Sequence, residues 1–243
     1  MDLTESYKKV FPEDVLERYT FEETRSAAAV LAHTNAEEFD HLVTALREFE
    51  LIPRDVIEPG KNESKIAARL NESFRSRGWR EGQYNLKISS LLRLMPYKPA
   101  GEKKAIEIES EVESAGYKVD NIRSTVALDV EWNAKDGNLD RDVAAYRSLY
   151  DAGFISVGVI VTRTTDDLRA LGALYDRPKF LGTTTTTNLP KLKQRMTRGD
   201  GGGCPMLAIA ISAKCFDPDG DGHDEPEALA ADRDQVQALT DGD

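Results

Sequence analysis

The 243 residues suffice for one large domain or two small ones, and 40% hydrophobic content is enough for a core. No apolar run reaches the length of a membrane span, and the opening MDLTESYKKV lacks the apolar centre of a signal peptide, so a soluble cytoplasmic protein without a membrane partner is expected. The net charge of −11 disfavours a polyanionic partner only until it is located: residues 217–243 hold ten acids and one arginine, leaving 33 acids against 31 bases elsewhere, so local basic clusters decide.

In chain order, Phe39, Leu42, Val43, Leu46 and Phe49 predict a helix over 36–50, with Asn35 as its N-cap. Ile66, Leu70 and Phe74 predict another from Glu63 to Arg77, closed at Gly78. Leu86 to Leu94 fits strand or helix. PYKPAGEKK reads as a loop, and Lys104 to Val112 as a short strand. After Ser114-Ala115-Gly116 and a turn at Asn121 to Ser124 comes VALDVEWNAKD (126–136). There Val126, Leu128, Val130 and Trp132 alternate with Ala127, Asp129, Glu131 and Asn133. Asp140 to Ala152 follows as a helix ended by Gly153, FISVGVIVT as a strand covered on both faces, Thr165 to Tyr175 as a helix, and Met206 to Ala213 as a further buried strand. Strand, helix and strand with short links imply an α/β fold with a central mixed sheet flanked by helices. A single domain over 1–216 is expected, with a helical N-terminal part (about 1–95) and a sheet core (about 104–215), followed by an acidic tail at 217–243 in which Glu225 to Leu239 is compatible with a helix.

Asp129 and Glu131 lie two apart in a strand, so they point the same way about 6.5–7 Å apart, a spacing at which two carboxylates can flank one hard cation. Asp120 lies nine residues earlier and can fold back onto them. The competing interpretation is a solvated acidic sheet face. Cys204 and Cys215 flank a predicted strand, roughly 30 Å apart if extended, too far for a disulfide. His33, His41 and His223 lack zinc-ligand spacing. GDGGG (199–203) lacks the lysine and hydroxyl of a phosphate loop and reads as a turn. DPDGDG (217–222) has Ala228 where a calcium loop needs glutamate.

An Asp followed by an acid-x-acid strand is the skeleton of the PD-(D/E)xK nucleases, here with Val119 where the motif has proline. The stretch DNIRSTVALDVEWNAKDGNLDRDVAAYRSLYDAGFISVGVIVTR (120–163) further resembles the core of the BglII and BstYI type II restriction endonucleases. The later KFLGTTTTTNLPKL and RGDGGGCPMLAIAI look like that family too. The resemblance implies a restriction-endonuclease-like fold and a homodimer that cuts double-stranded DNA at a short palindrome with Mg2+. The products would carry 5′-phosphates, and the related enzymes' shared central GATC is the first sequence it suggests. It implies Asp120, Asp129 and Glu131 as catalytic residues and metal ligands. Asp129 stands where glutamate is common in the family, and Glu131 where BglII has glutamine and BamHI glutamate, leaving open whether Glu131 is a base or only a ligand.

Lys191, Lys193, Arg195 and Arg198 form a basic stretch suited to phosphates. The preceding Thr183, Thr184, Thr185, Thr186, Thr187 and Asn188 carry hydroxyls and an amide suited to base edges. Asn133 and Lys135 follow the catalytic strand and are expected at the DNA; Arg163 either contacts DNA or braces a carboxylate. A structure-specific repair nuclease and a non-catalytic DNA-binding protein are the alternative functions.

Overall fold

The structure is a computed structural model that describes residues 1–57, 65–176 and 181–220. Its elements run β1 (Leu3–Thr4), α1 (Tyr7–Val10), α2 (Glu13–Arg18), β2 (Tyr19–Thr24), α3 (Ala27–Thr34), α4 (Ala36–Glu48), α5 (Pro53–Ile57), α6 (Lys65–Ser76), β3 (Arg80–Leu94), β4 (Ile106–Arg123), β5 (Val126–Val130), α7 (Gly137–Asp151), β6 (Val157–Arg163), α8 (Asp166–Leu174), α9 (Leu189–Arg198) and β7 (Met206–Ile211). The expected α/β architecture is present: seven strands in the order β1-β2-β7-β6-β5-β4-β3 make a mixed sheet. β5, β6 and β7 are parallel to one another, whereas β4 joins β5 and β2 joins β7 antiparallel.

The parallel strands are buried at every residue, as strands covered on both faces must be. One sheet face, carrying Val126, Leu128, Val130, Val157, Val159, Val161, Leu207, Ile209 and Ile211, packs with Leu31, Leu42, Leu46, Leu70 and Phe74 of α3, α4 and α6. The other face carries Ala127, Gly158, Ala208 and Ala210 among larger residues, and Gly158 shows why space is needed there. A Cβ there would come within 2.2 Å of the Tyr146 ring of α7, so only glycine lets that tyrosine lie against the sheet.

Several expectations need correction. The N-terminal part is not purely helical: Tyr19 and Phe21 of YTFEET are buried in alternation, and that short period-2 segment pairs with β7. Leu86 to Leu94 is strand, within β3. The short strand expected at 104–112 belongs to a strand of 18 residues running on to Arg123. Gly116 does not interrupt it, because a Cβ there would lie 1.5 Å from the Tyr84 carbonyl oxygen, a close strand approach that glycine alone allows. The turn before β5 is at Ser124 and Thr125, with Ser124 at φ 49°, so Asn121 is in the strand. Asn35 precedes α4 but caps nothing; its amide bonds Thr34, Ser156 and Thr125. Glu63 and the tail segment 225–239 lie outside the described residues.

By its contacts the chain divides into two compact units, Gln83–Lys118 and the remainder. The smaller unit holds most of β3 and β4. Both cysteines are buried and unbonded to each other.

Candidate active site

The carboxylate face of β5 is not solvated. Asp129 is 2% and Glu131 5% exposed, and α7 covers them. β4 returns antiparallel, with Asn121 opposite Leu128, which sets Asp120 beside Asp129. The Asp120 N–H donates to Asp129 Oδ1 at 2.8 Å, and the Val130 N–H and Asn71 amide support the Asp120 carboxylate. Asn71, from α6, also accepts a 2.8 Å hydrogen bond from Asn121. The three acids predicted from sequence therefore converge at the carboxyl end of β5, where open parallel sheets place their ligands.

A fourth acid joins them. Asp142 on α7 is fully buried and sits beside Glu131, whose charge acts on it. Its sequence signal was an acid on the face of α7 that also carries Leu139, Val143 and Tyr146. The neighbouring cation is Arg141, 3.0 Å from Asp142 and 3.9 Å from Glu131. Arg141 does not balance four acids, and burial shifts all four toward their neutral forms. Burial, then the charge of Asp142 and Asp120, pushes Asp129 well above the usual carboxylate range. Burial, with the Asp129 charge adding to it, raises Glu131 to about 7. Burial and the Glu131 charge raise Asp142 to about 8. Burial also raises Asp120.

Tyr146 bears on Asp129 directly. Its hydroxyl lies 2.7 Å from both Asp129 Oδ2 and the Val159 carbonyl. One hydroxyl proton cannot serve two acceptors. The hydroxyl donates to Asp129 Oδ2 or to the Val159 carbonyl at any one time.

Among the described residues, no group of three or more His, Cys, Asp or Glu is arranged as a ready cage for a metal ion. Asp129 has both oxygens engaged in hydrogen bonds. The donor chemistry nonetheless fits a hard divalent cation. Glu131 Oε2 and Asp142 Oδ2 are buried without a hydrogen-bond partner, and surplus negative charge is what such an ion neutralises.

The threonine segment lies against the exit of β5. Thr187 Oγ1 donates to the Glu131 carbonyl, its N–H donates to the Ala134 carbonyl, and the Ala134 N–H returns to Thr187 Oγ1. Thr186 bonds Asn133 Oδ1 and bridges Lys135. Asn133 adopts φ 55°, the left-handed conformation that asparagine tolerates. Arg163 braces this segment rather than a carboxylate. It is fully buried and donates to the Thr183 carbonyl and to Thr186 Oγ1, each at 2.7 Å, and burial lowers its pKa to about 10. Thr184, Thr185 and Lys135 are exposed, while Thr187 and Asn188 are buried. Asn188 caps α9 by accepting from the Lys191 N–H.

The basic stretch looks different in three dimensions. Arg195 is 8% exposed and grips Asp140 of α7 with two bonds, at 2.7 and 2.8 Å. Lys191 lies 3.5 Å from Asp136, Lys193 2.5 Å from Glu22, and Arg198 2.5 Å from Asp200. Acids distant in sequence thus meet a stretch that looks unopposed in the chain. No helix among the described residues is long and apolar enough to cross a membrane.

No curated protein matches this sequence. A family model described as "Restriction endonuclease BglII/BglIII" matches residues 19–211, from β2 to the end of β7, taking in every element that forms the carboxylate cluster. The chain belongs to the BglII/BglIII restriction endonuclease family and is accordingly a nuclease whose substrate is double-stranded DNA.

Proposed function

We propose that this nuclease is a homodimeric type II restriction endonuclease that depends on magnesium and cuts a short palindrome, leaving 5′-phosphates, with a GATC-centred sequence the first to test. The observation that carries the reading is the cluster of Asp120, Asp129, Glu131 and Asp142, with two buried carboxylate oxygens left without partners. The dimer follows from the target, since a palindrome has two-fold symmetry and both strands must be cut.

Asp120, Asp129 and Glu131 would hold the cation, with Asp142 and Arg141 behind Glu131. When bound, the ion offsets the charge developing on the phosphate and lowers the pKa of a coordinated water. Glu131, raised to about 7, gives up and recovers a proton near neutral pH. Once ionised, its Oε2 accepts the proton of the attacking water. The water oxygen bonds to phosphorus as the bond from phosphorus to the 3′-oxygen breaks, and that oxygen takes a proton from solvent. Asp142, raised to about 8, keeps a proton with which to hold Glu131 in place.

The threonine segment and Asn133 serve as the base-reading surface, with Thr184, Thr185 and Lys135 its exposed groups. Arg163 positions that surface from below. Lys193 and Arg198 are the phosphate contacts that the geometry favours, because exposed ion pairs are worth little and can be exchanged for a phosphate. The test is digestion of a plasmid carrying many short palindromes, with and without magnesium. Discrete fragments that need the metal are expected. Cutting confined to branched DNA would indicate a repair nuclease, and a band shift without cutting a binding protein.

A further inference from the structure

The smaller unit separates its charges along its length. β3 and β4 are neighbouring strands, and the ion pairs of Lys87 with Glu111 and Glu113, and of Arg93 with Glu107, fit one antiparallel register. Alternation puts every charged side chain from 86 to 94 and from 106 to 114 on one face of this ribbon, and only leucine, isoleucine, valine and serine on the other. The stalk of the ribbon therefore sets Glu107, Glu109, Glu111 and Glu113 against Lys87 and Arg93. The link between the strands, residues 95–105, reverses the balance, with Lys98, Lys103 and Lys104 against Glu102.

These three lysines are exposed, and among the described residues their ammonium groups take part in no hydrogen bond or ion pair. The cations of α9 and of the stalk are met by acids: Lys193 by Glu22, Arg198 by Asp200, Arg93 by Glu107. Glu102 is not spent on the lysines, because its carboxylate accepts from the Tyr97 N–H at 2.7 Å. The link is an ordered turn. Pro96 and Pro99 restrict its backbone. Lys98–Ala100 form one 3-10 turn, which Gly101 closes at φ 83° by donating its N–H to the Lys98 carbonyl. A Cβ at Gly101 would meet nothing within 4 Å, so the main chain there is open to close approach by a ligand. Tyr97, beside it, is 63% exposed.

Solubility calls for charge but not for an ordered turn to hold it. Unpaired lysines fixed in place with a phenol alongside suit the phosphates of a duplex, since both side chains are backbone contacts. A fixed turn lowers the ordering cost of binding, and no ion pair has to break first. The glutamates of the stalk repel the same polyanion, which confines the contact to the tip. Three lysines also fall short of the cluster of about four to eight basic residues that anionic lipids call for.

We infer that the tip of the β3–β4 ribbon holds the phosphate backbone of double-stranded DNA through Lys98, Lys103 and Lys104, with Tyr97 beside them, in a contact that carries no base information. The inference rests on duplex DNA being the substrate and not on the type II reading. The experiment is a fluorescence-anisotropy titration of the full chain in calcium, on a GATC-containing duplex and a scrambled duplex of equal length, from ~50 to ~200 mM salt. Wild type is compared with Lys98→Gln/Lys103→Gln/Lys104→Gln and with Lys87→Gln/Arg93→Gln on the stalk, and circular dichroism establishes that each folds. The triple variant should bind both duplexes more weakly by the same factor, at least ~10-fold at about 0.1 M salt, with a salt dependence flatter by about two units of slope or more. The stalk variant should keep the wild-type slope. A triple variant with wild-type affinity and slope, or a stalk variant that loses as much, would overturn the assignment. So would retention of wild type on phosphatidylserine vesicles together with unchanged DNA binding by the triple variant, which would give the lysines to a lipid surface. Plasmid cutting is scored separately: a wild type that binds both duplexes and cuts neither leaves the tip to stand or fall on the titration, and removes only the catalytic reading.

Discussion

β5 and the β3–β4 ribbon are both two-faced strands, and they depart from ordinary burial in opposite directions. β5 buries carboxylates: Asp129 and Glu131 are almost wholly enclosed, and burial pushes them and Asp142 above the usual carboxylate range. The ribbon exposes leucine and isoleucine while its ion pairs sit in water. The two regions therefore lack opposite things, a compensating charge in the first case and apolar cover in the second. Buried surplus charge asks for an opposite charge, and exposed apolar area asks for more of the same.

The largest expected effect sharpens the first half of that contrast. Glu131→Gln or Asp129→Asn should lower cleavage with magnesium at least ~1000-fold while DNA binding in calcium persists, because a lost carboxylate is a lost metal contact. Near wild-type cutting by either variant would remove these residues from the chemistry.

Asp142→Asn separates activity from stability. Cleavage should fall about 100-fold, since Glu131 loses the group that holds it. The metal-free variant should nevertheless melt higher than wild type at pH 8.5, by roughly 5 °C. The sign follows from the raised pKa values. The folded chain keeps protons on Glu131 and Asp142 that the unfolded chain releases from about pH 4 upward, so their stability contribution is complete below that pH and lost as pH rises to about 8. Asparagine mimics the neutral acid and flattens this decline. Melting curves from pH 4 to 9 in chelator check it; equal pH slopes for the two proteins would mean that Asp142 is not held neutral.

Gly158→Ala tests the packing beneath the acids. Its Cβ must displace the Tyr146 ring, and with it the hydroxyl at Asp129, so a stability loss of about 1–3 kcal/mol is expected in urea titration, with a drop of about tenfold in cleavage. The smallest effects concern the basic helix. Lys193→Ala should flatten the salt dependence of DNA binding by about one unit of slope. Arg195→Ala should instead lower the melting temperature, because the lost group is a buried partner of Asp140. The reverse pattern would make Arg195 the phosphate contact.

Local sequence carried much of this protein. Period-2 alternation placed β5, continuous apolar runs placed β6 and β7, and a 3.6-residue period placed α4, α6 and α7, because each element buries what its own geometry turns inward. Strand spacing put Asp129 and Glu131 on one side, whereas Asp120 and the catalytic assignment of all three came from the resemblance to the BglII-type nucleases. The tertiary structure decided what lies opposite those faces. Asp142 reads as one polar residue on a helix until α7 is laid across β5, and the basic stretch reads as free charge until Glu22, Asp136 and Asp140 arrive from elsewhere in the chain. Arg163 became a brace because the threonine segment returns over it. The ribbon stayed ambiguous between strand and helix because its apolar face has no core to declare its period. Pattern along a chain records which residues seek burial; which charges meet, and which apolar faces stay open, depends on pairings that no local window contains.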